Sequence, residues 1–465
     1  MRTLVWFRGK DLRLSDHAPL RAALSLGEVV PLFVLDPFFF AAERARELPH
    51  RIQFLLESLR SLEQNIAAVG SRLLCVPGRS VELLPKLVRD WRVDRVVAQR
   101  WVEPFGRARD AEIARQLAVP FELYEGETLR PPGSVLSGGG EPYSVFTPFA
   151  RAFVRGFAPG APLPKPQRLP LPPADCRAEF VSVPTLAELE IEDNPRLVAG
   201  GERAARTRMQ AFLANAARHY DTDRDRMDKD GTSRLSQDLK FGTLSVRTLW
   251  TRVLEELNAP KAVAAFCNEL LWREFSHDVL WNRPHVLRRP FRPEFEGFPW
   301  SRDEPAWRSW VTGRTGYPIV DAAQRQLLAE GFVHNRARMI TASFLTKHLM
   351  IDYRRGEAHF LKYLTDGDWA QNNVGWQWSA GTGCDAQPYF RIFNPVTQGK
   401  RFDPDGEYVK RWVPELRNVP ARHVHAPWTL ASPPTDYPAP IVEHAWARTR
   451  YLQVAQSFLR RDRVR

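Results

Sequence analysis

The first 130 residues alternate short apolar runs with amphipathic segments, and this alternation constrains the fold more than any other feature. Five runs are predicted to be buried strands, at residues 3–7, 29–35, 72–76, 95–99 and 121–125. Helical patterns lie between them, most clearly over 51–70 and 81–91. Alternation at this spacing is typical of a parallel sheet covered by helices on both faces. Such sheets bind ligands at the carboxyl ends of their strands.

The common nucleotide-binding motifs do not occur in the sequence. No G-x-G-x-x-G follows the first run, and no G-x-x-x-x-G-K-[ST] occurs anywhere. The sequence therefore predicts neither a standard dinucleotide site nor a P-loop. The same absence weakens one alternative, in which this half alone is a nucleotide-binding or electron-transfer flavoprotein domain.

A proline-rich segment separates two halves of different pattern. Residues 156–184 contain eight prolines and predict an extended linker. Beyond about residue 190 the pattern becomes helical, with clear periodicity over 262–281 and 337–364. We predict an α/β domain at 1–130, a linker at 131–195 and an all-helical domain at 196–465.

Charge and cysteine usage limit the partners and the compartment. The net charge of +12, carried mainly by arginine, favours a polyanionic partner such as nucleic acid. The 4 cysteines are widely spaced without a C-x-x-C pair, so we expect neither zinc nor disulfides, and a reducing cytosol.

No apolar run approaches the roughly 18 residues of a membrane span. The N-terminus meets charge too early for a signal peptide. We predict a cytoplasmic protein without a metal site or membrane association.

A hydroxyl-rich turn in the helical half is the first candidate binding element. DGTSRLSQDLKFGTLS (230–245) places hydroxyls and backbone N–H groups where a helix is predicted to begin, which suits an anion. Tyr220 and Arg224 precede it, so the segment could hold a pyrophosphate. A plain Ser/Thr helix cap is the alternative.

The segment NELLWREF (268–275) is the second candidate element. Glu269, Trp272 and Arg273 follow the i, i+3, i+4 pattern and are predicted to share one helical face. That face could recognise a stacked base. The alternative is an intrahelical salt bridge beside a packed tryptophan.

The third candidate combines HNRARM (334–339) with DGDWAQNNVGWQWSA (366–380). We predict that Arg338 pairs with Asp366 across helices, near Asn372. An asparagine amide both donates and accepts, so it can hydrogen-bond a group that changes protonation or redox state. The alternative is that Trp376 and Trp378 fill the core and that the aspartates are helix caps.

These segments together resemble the photolyase/cryptochrome family, over essentially the whole chain and in the same order. The resemblance is closest to bacterial cyclobutane pyrimidine dimer photolyases. It is carried by WFRGKDLRLSD, YSVFTPF, GTSRLS, NELLWREF, TGYPIVDAAQRQL, HNRARMITASFL and DGDWAQNNVGWQWSAGTGCDAQPYFRIFNPVTQGKRFD. It implies a Rossmann-like parallel α/β antenna domain joined by a long linker to an all-α FAD-binding domain. It also implies a carbon–carbon lyase that repairs dimers in UV-damaged DNA with light, as a monomer without an obligate protein partner, associated with the nucleoid through DNA.

The resemblance also implies roles for individual residues. FAD, active in its reduced form FADH⁻, would be held by Tyr220, Arg224, Thr232, Ser233, Leu235, Ser236, Arg273, Asn335, Arg338, Asp366, Asp368 and Asn372, the last facing flavin N5. The flipped lesion would contact Glu269, Trp272, Asn335, Met339 and Trp378. The DNA phosphates would meet Arg336, Arg391, Lys400 and Arg401. Electrons for flavin reduction would pass through Trp376, Tyr353 and Trp300.

Three positions bear on the type of lesion and on the alternative function. Relatives that act on six-four photoproducts typically present two histidines where this chain has Asn335 and Met339, so dimer repair is favoured. The alternative function is a cryptochrome-type blue-light photoreceptor without repair activity. Plant-type receptors often have Asp facing flavin N5, whereas Asn372 fits a photolyase.

Two departures from the family pattern carry expectations of their own. Tyr353 stands where the family has the middle tryptophan of its electron chain, which predicts slower photoreduction or a detour through Trp307, Trp310 or Trp369. Phe105 and Gly106 precede RARD (107–110), where folate-binding members have Asn-Glu. A folate antenna is therefore disfavoured, which leaves a deazaflavin, another chromophore or an empty site.

Overall fold

The computed structural model describes residues 1–461, which form two compact units. The first unit comprises Met1–Tyr143, Thr147–Arg218 and Ser233–Pro284, and the second comprises Ser144–Phe146, His219–Thr232 and the chain from His285. No helix among the described residues is both long enough and apolar enough to cross a membrane.

A five-stranded parallel sheet forms the centre of the first unit, and all five predicted strands are confirmed. The strands are β1 Arg2–Phe7, β2 Glu28–Leu35, β3 Leu74–Pro77, β4 Arg95–Gln99 and β5 Phe121–Tyr124. Their order in the sheet is β3-β2-β1-β4-β5. β1 and β4 are neighbours that are not consecutive in sequence, so their carboxyl ends lie where the order reverses and where such sheets bind ligands.

Helices flank this sheet and are the regular elements of the rest of the described chain, as predicted. Up to residue 282 they are α1 Ala18–Leu24, α2 Pro37–Phe40, α3 Ala42–Arg46, α4 Pro49–Ala67, α5 Ser80–Asp90, α6 Pro104–Gln116, α7 Phe146–Val154, α8 Glu202–Ala214, α9 Tyr220–Asp223, α10 Ser236–Phe241, α11 Val246–Glu256 and α12 Pro260–Asn282. Beyond it they are α13 Glu304–Val311, α14 Pro318–Glu330, α15 Asn335–Ser343, α16 Tyr353–Tyr363, α17 Trp369–Ala380, α18 Pro395–Phe402, α19 Glu407–Trp412, α20 Ala421–Val424 and α21 His444–Arg461.

The first unit contains α10 to α12 as well as the sheet. Leu12 N donates to the carbonyl of Phe241 at 3.2 Å, and the Arg13 guanidinium donates to the carbonyl of Gly242 at 2.9 Å. A Cβ on Gly242 would lie 2.0 Å from the carbonyl oxygen of Lys10, so only glycine fits this close approach.

The proline-rich segment is extended, as predicted, and hydrogen bonds hold it against other parts of the first unit, to which it belongs. Leu163 and Asp16 exchange two hydrogen bonds, at 2.8 and 2.9 Å. Leu169 N donates to the carbonyl of Val69 at 2.8 Å, and Val181 N donates to that of Cys75 at 3.1 Å. The segment therefore follows a fixed path.

The helical pattern predicted over 337–364 is confirmed, and the structure divides this segment into α15 and α16. A π-helical turn over Phe344–His348 follows α15, and Met350 then adopts a left-handed φ of 57°. Ser301 N donates to the carbonyl of Met350 at 2.7 Å, which holds the chain in an extended bridge there. Asp352 caps α16 by accepting from Arg354 N. This long-range backbone contact is what ends the helix.

Candidate functional site

Helix α17 contains most of the segment 366–380 and begins at a side-chain cap. The Asp368 carboxylate accepts from Ala370 N at 2.9 Å and from Gln371 N at 3.3 Å. Gly381 ends the helix with a φ of 89°. The alternative in which the aspartates are caps is thus confirmed for Asp368.

The predicted pairing of Arg338 with Asp366 is confirmed. The guanidinium donates to both carboxylate oxygens of Asp366, at 2.9 and 3.1 Å, and also to the carbonyl of Val333 at 2.7 Å. The Asp366 side chain is 6% exposed and that of Arg338 is 27% exposed. One guanidinium nitrogen makes both contacts with Asp366 and a second nitrogen donates to Val333, so the guanidinium is held in place and the pair carries no net charge.

One face of α17 is open. Asn372, Gly375 and Trp378 follow one another at i+3 spacing, so they share a face, and none of them is buried. A Cβ on Gly375 would meet nothing within 4 Å. Glycine inside a helix costs roughly 0.5–1 kcal/mol relative to alanine. A flat group lying over this face would account for that cost.

Asn372 is held in one orientation on this open face. Its amide nitrogen donates to the carbonyl of Glu357 at 3.0 Å. This bond uses one of the two amide N–H groups, so Asn372 can offer a ligand its amide oxygen as an acceptor and its second N–H as a donor. An acceptor beside an uncovered flat surface fits a flavin ring, so the residues present suit FAD.

The buried face of α17 contains a hydrogen-bond network that was not predicted from the sequence. Asn373 donates to the carbonyl of Val286 and to the Glu357 carboxyl, both at 3.0 Å, and accepts from Gln377 at 3.1 Å. Burial raises the pKa of Glu357 to about 7. The i, i+4 repeat of two amides is the signal that could have shown this network.

Helix α12 confirms the shared face of Glu269, Trp272 and Arg273. All three are partly exposed, whereas most residues in the second half of this helix are buried. Trp272 packs edge-on against Phe275 with ring centroids 5.8 Å apart. Arg273 donates to the carbonyl of Glu127 at 2.8 Å, which fixes its guanidinium.

Helix α15 places the exposed Asn335 and the half-buried Met339 one turn apart. His334 caps the helix by accepting from Arg336 N at 3.1 Å, and burial lowers the pKa of His334 to about 4. The imidazole is therefore neutral at pH 7. Arg336 pairs with Asp225 at 2.7 Å.

The hydroxyl-rich turn does not cap its helix through a side chain, so that alternative is wrong. α10 begins at Ser236 with Leu235 at the cap position, and no side chain makes a cap hydrogen bond. Thr232 and Ser233 are half-buried just before it. Arg224 lies over the buried Tyr220 ring at 5.9 Å.

The three residues of the predicted electron chain lie in the second unit. Trp376 is 3% exposed in its core, and Tyr353 is 2% exposed. Tyr353 lies 6.3 Å from Trp300, centroid to centroid. The Tyr353 hydroxyl has no hydrogen-bond partner among the described residues, and burial raises the pKa of this phenol.

Three of the four basic residues predicted for DNA are exposed. They are Arg391, which precedes α18, and Lys400 and Arg401 in its last turn. The fourth, Arg336, is in the ion pair described above.

A cationic cluster lies after β1 and β4, where the strand order reverses. Arg8 and Arg109 both donate to Asp110, at 2.8 Å each, and both guanidinium groups lie over the rings of Trp6 and Trp101. Burial, together with the charge of Arg8, lowers the pKa of Arg109 to about 10.

Gly106 lies beside this cluster on α6. A Cβ there would lie 2.6 Å from the Trp101 ring, so a larger residue would displace the tryptophan. Phe105 is exposed and stacks on Phe38 with centroids 4.6 Å apart.

Comparison with known proteins gives matches along nearly the whole chain. The family described as DNA photolyase matches residues 3–167, and the FAD binding domain of DNA photolyase matches residues 266–457. The deoxyribodipyrimidine photo-lyase of Thermus thermophilus is 40% identical over 459 residues, 98% of this chain and 99% of that protein.

Two solved structures are similar over the same length. A bacterial class III photolyase from Agrobacterium tumefaciens has a TM-score of 0.90 and 34% identity, over 98% of this chain and 97% of its own. A cryptochrome from Synechocystis has a TM-score of 0.89 and 30% identity, over 98% of this chain and 99% of its own. These matches agree with the predicted fold class, an α/β domain followed by a helical one.

Proposed function

The chain belongs to the DNA photolyase family, as a deoxyribodipyrimidine photo-lyase that binds FAD, and we propose that its residues use reduced FAD to split pyrimidine dimers in DNA. When bound and excited by light, the reduced flavin supplies one electron, which opens the cyclobutane ring and then returns. The open face of α17 is the observation that carries this proposal, since a helix leaves a glycine uncovered only at a cost.

We propose that α17 and its neighbours bind and orient the cofactor. The Asn372 amide would hydrogen-bond the flavin near N5, and its bond to the carbonyl of Glu357 fixes the orientation of the amide. The Arg338–Asp366 pair presents a fixed, neutral hydrogen-bonding edge. Asp368 is committed to its cap, so it orients the start of α17. Tyr220, Arg224, Thr232, Ser233, Leu235 and Ser236 serve the phosphate side, and Arg273 and Asn335 complete the proposed FAD set.

The proposed lesion contacts are Glu269, Trp272, Asn335, Met339 and Trp378. A dimer stacks and pairs poorly, so extruding it costs less than the few kcal/mol that an intact base requires. Each indole offers a flat wall, worth about 1–3 kcal/mol per stacked base. Glu269 hydrogen-bonds the pyrimidine edge.

The choice of dimer rather than six-four photoproduct rests on proton supply. Asn335 and Met339 cannot act as acids, and His334 is neutral at pH 7 because its pKa is about 4. His334 is also committed to capping α15 through its Nδ1 atom. Repair of a dimer needs no proton donor at these positions.

We propose damaged DNA as the partner of the exposed basic residues. Arg391, Lys400 and Arg401 neutralise phosphates beside the lesion, so affinity should fall with salt as counterions are released. Arg336 can bind a DNA phosphate only if its ion pair with Asp225 breaks. We further propose that the protein is a cytoplasmic monomer that associates with the nucleoid through DNA and has no obligate protein partner. We also propose that it divides by function into an antenna domain at 1–130, a linker at 131–195 and a catalytic domain at 196–465.

We propose that folate is not the second chromophore. Gly106 brings no carboxylate to a pterin ring, and the Trp101 ring leaves no room for a side chain there. A deazaflavin, another chromophore or an empty site are the remaining choices. The absorbance spectrum of the purified protein distinguishes them, and a released folate would contradict this point.

The test is blue-light repair of an oligonucleotide with one thymine dimer, by protein whose flavin has been chemically reduced. We expect thymine absorbance to return in light and not in the dark. Bound flavin without any light-dependent repair would refute the enzymatic function and favour the cryptochrome-type photoreceptor.

A further inference from the structure

One lysine of the second unit is buried without a carboxylate partner. Lys347 lies in the π-helical turn over Phe344–His348, and its side chain is fully buried. Its ammonium group donates to the carbonyl of Arg391 at 2.7 Å, and no other acceptor binds it among residues 1–461. Lysine is almost never fully buried unless an opposite charge is paired with it. The position of Lys347 therefore needs an explanation.

Packing alone does not account for Lys347. Moving an ammonium group out of water has a large free-energy cost, and a single carbonyl oxygen offsets only part of it. Burial, together with the charge of Arg391, lowers the pKa of Lys347 to about 7. A methionine would fill nearly the same space without burying a charge. Because π-helical turns are frequent at functional sites, we looked for a function in what Lys347 holds.

The carbonyl that Lys347 binds belongs to an irregular segment. Residues 381–394 connect α17 with α18 without forming a helix or a strand. Side chains therefore help to fix their path, since the buried carbonyls need donors. Gln387 donates to the carbonyl of Ser379 at 3.0 Å, and Arg391 N closes a turn on the carbonyl of Pro388 at 2.9 Å. The bond from Lys347 fixes the end of this turn.

The side chains of the turn divide between the core and solvent. Tyr389 and Ile392 pack against the apolar cluster that contains Phe298. Phe390 is 60% exposed, and Arg391 next to it is also exposed. The backbone of Arg391 is thus held from the inside while its guanidinium lies outside. A shift of that backbone would move the guanidinium, which is one of the proposed phosphate contacts.

We propose that Lys347 is a positioning residue for DNA binding, whose ammonium group holds the Arg391 carbonyl so that the Arg391 guanidinium faces a DNA phosphate. This inference rests on the proposed function, which assigns Arg391 to the phosphates. Lys347 acts through the backbone of Arg391 and does not itself contact DNA. Lys347→Met should therefore weaken DNA binding and leave the flavin content unchanged.

The first test measures the affinity for an oligonucleotide with one thymine dimer, in the dark, by fluorescence anisotropy. We expect Lys347→Met to bind about tenfold more weakly than wild type, as for the loss of one hydrogen bond to a charged group. Lys362→Met is the matched control, because it removes the same charge from the exposed surface of α16. Its affinity should stay within about twofold of wild type. Wild-type affinity in Lys347→Met would overturn the proposal.

A double-mutant cycle with Arg391→Gln distinguishes positioning from a general effect of charge. If Lys347 acts through Arg391, both single variants lose the same phosphate contact. The double variant should then bind no more weakly than Arg391→Gln alone. The slope of log affinity against log salt should also decrease in magnitude by about 0.9 in all three variants, because one phosphate contact is lost. Additive losses of affinity would overturn the proposal, since Lys347 would then act independently of Arg391.

A stability measurement distinguishes positioning from a structural role. Lys347→Met no longer buries a charge, so its urea midpoint at equal flavin content should match or exceed that of wild type. A lower midpoint together with weaker binding would assign Lys347 to the stability of the fold and overturn the proposal. Lys347→Leu is the second variant if Lys347→Met does not fold. Failure of both variants to fold would likewise assign Lys347 to the fold.

Binding in the dark separates this inference from the proposed function. Wild type that binds the dimer and does not repair it in light would refute the photolyase reaction, and the binding cycle would still decide the role of Lys347. Wild-type affinity in Arg391→Gln would refute the proposed phosphate contact and the role of Lys347 with it. Weak binding by Arg391→Gln, with full affinity in Lys347→Met, would refute the role of Lys347 alone.

Discussion

Glu357 makes the stability of the helical unit depend on pH, and Glu357→Gln should remove that dependence. The carboxyl is buried and accepts from the Asn373 amide. Burial raises the pKa of Glu357 from its ordinary value of 4.5 to about 7. At about 1.4 kcal/mol for every tenfold change in proton affinity, this difference corresponds to about 3 kcal/mol.

The sign of the change in stability with pH follows from whether the folded or the unfolded state holds the proton on Glu357. Below pH 4.5 the carboxyl is protonated in both states. Between pH 4.5 and 7 the unfolded chain releases the proton while the folded chain keeps it, so stability falls as pH rises. Above pH 7 both states are ionised and the full cost remains. Glutamine keeps an acceptor for Asn373 and never ionises. Glu357→Gln should therefore gain about 3 kcal/mol over wild type between pH 5 and 8, with most of the change below pH 7.

The assay is urea unfolding of the FAD-loaded protein at several pH values, with equal free FAD in every sample because bound ligand adds stability. Subtracting the two curves cancels other buried carboxyls, such as Asp403, which are present in both proteins. Glu407→Gln is the control, since that side chain is 61% exposed and its replacement should change stability by no more than about 0.5 kcal/mol. The reasoning would be refuted if the difference in free energy of unfolding between Glu357→Gln and wild type stayed constant within about 0.5 kcal/mol from pH 5 to 8. Such a result would mean that the carboxylate is solvated in the folded state.

Three further substitutions test separate parts of the site. Asp366→Asn leaves the Arg338 guanidinium without its carboxylate, so FAD affinity should fall about tenfold or more in a fluorescence titration; unchanged affinity would contradict the role of the pair. Gly106→Ala places a methyl group against Trp101 and should lower the free energy of unfolding by about 1–3 kcal/mol while flavin content stays constant. Glu269→Ala should lower the repair yield at constant flavin content, and loss of flavin instead would assign Glu269 to the cofactor.

The strands, the shared face on α12 and the Arg338–Asp366 pair could be predicted from the local sequence pattern. The five strands were predictable because a parallel strand buried on both faces is an apolar run of limited length. The shared face on α12 followed from i, i+3, i+4 spacing, and the Arg338–Asp366 pair followed from complementary charge. Their roles toward cofactor and DNA stay predictions, because spacing fixes neighbours and not ligands.

Long-range contacts account for what the sequence could not show. The division of 337–364 depends on a backbone hydrogen bond from Ser301 N to the carbonyl of Met350. The sequence of the segment does not indicate that Ser301 is its partner. The buried amides of α17 depend on Glu357, which lies on another helix. The inclusion of α10 to α12 with the sheet depends on the approach of Gly242 to Lys10.

The composition of 366–380 follows from the number of surfaces that one helix must present. At 100° per residue, Gly375, Asn372, Trp376 and Asn373 occupy successive sectors around α17. The first two leave an uncovered surface, the third enters the core beside Trp310, and the fourth satisfies a buried carboxyl. Each costly residue is thus compensated by a different partner. Trp376 thus lies between the open face and the buried network, and its ring contact with Trp310 does not involve Tyr353.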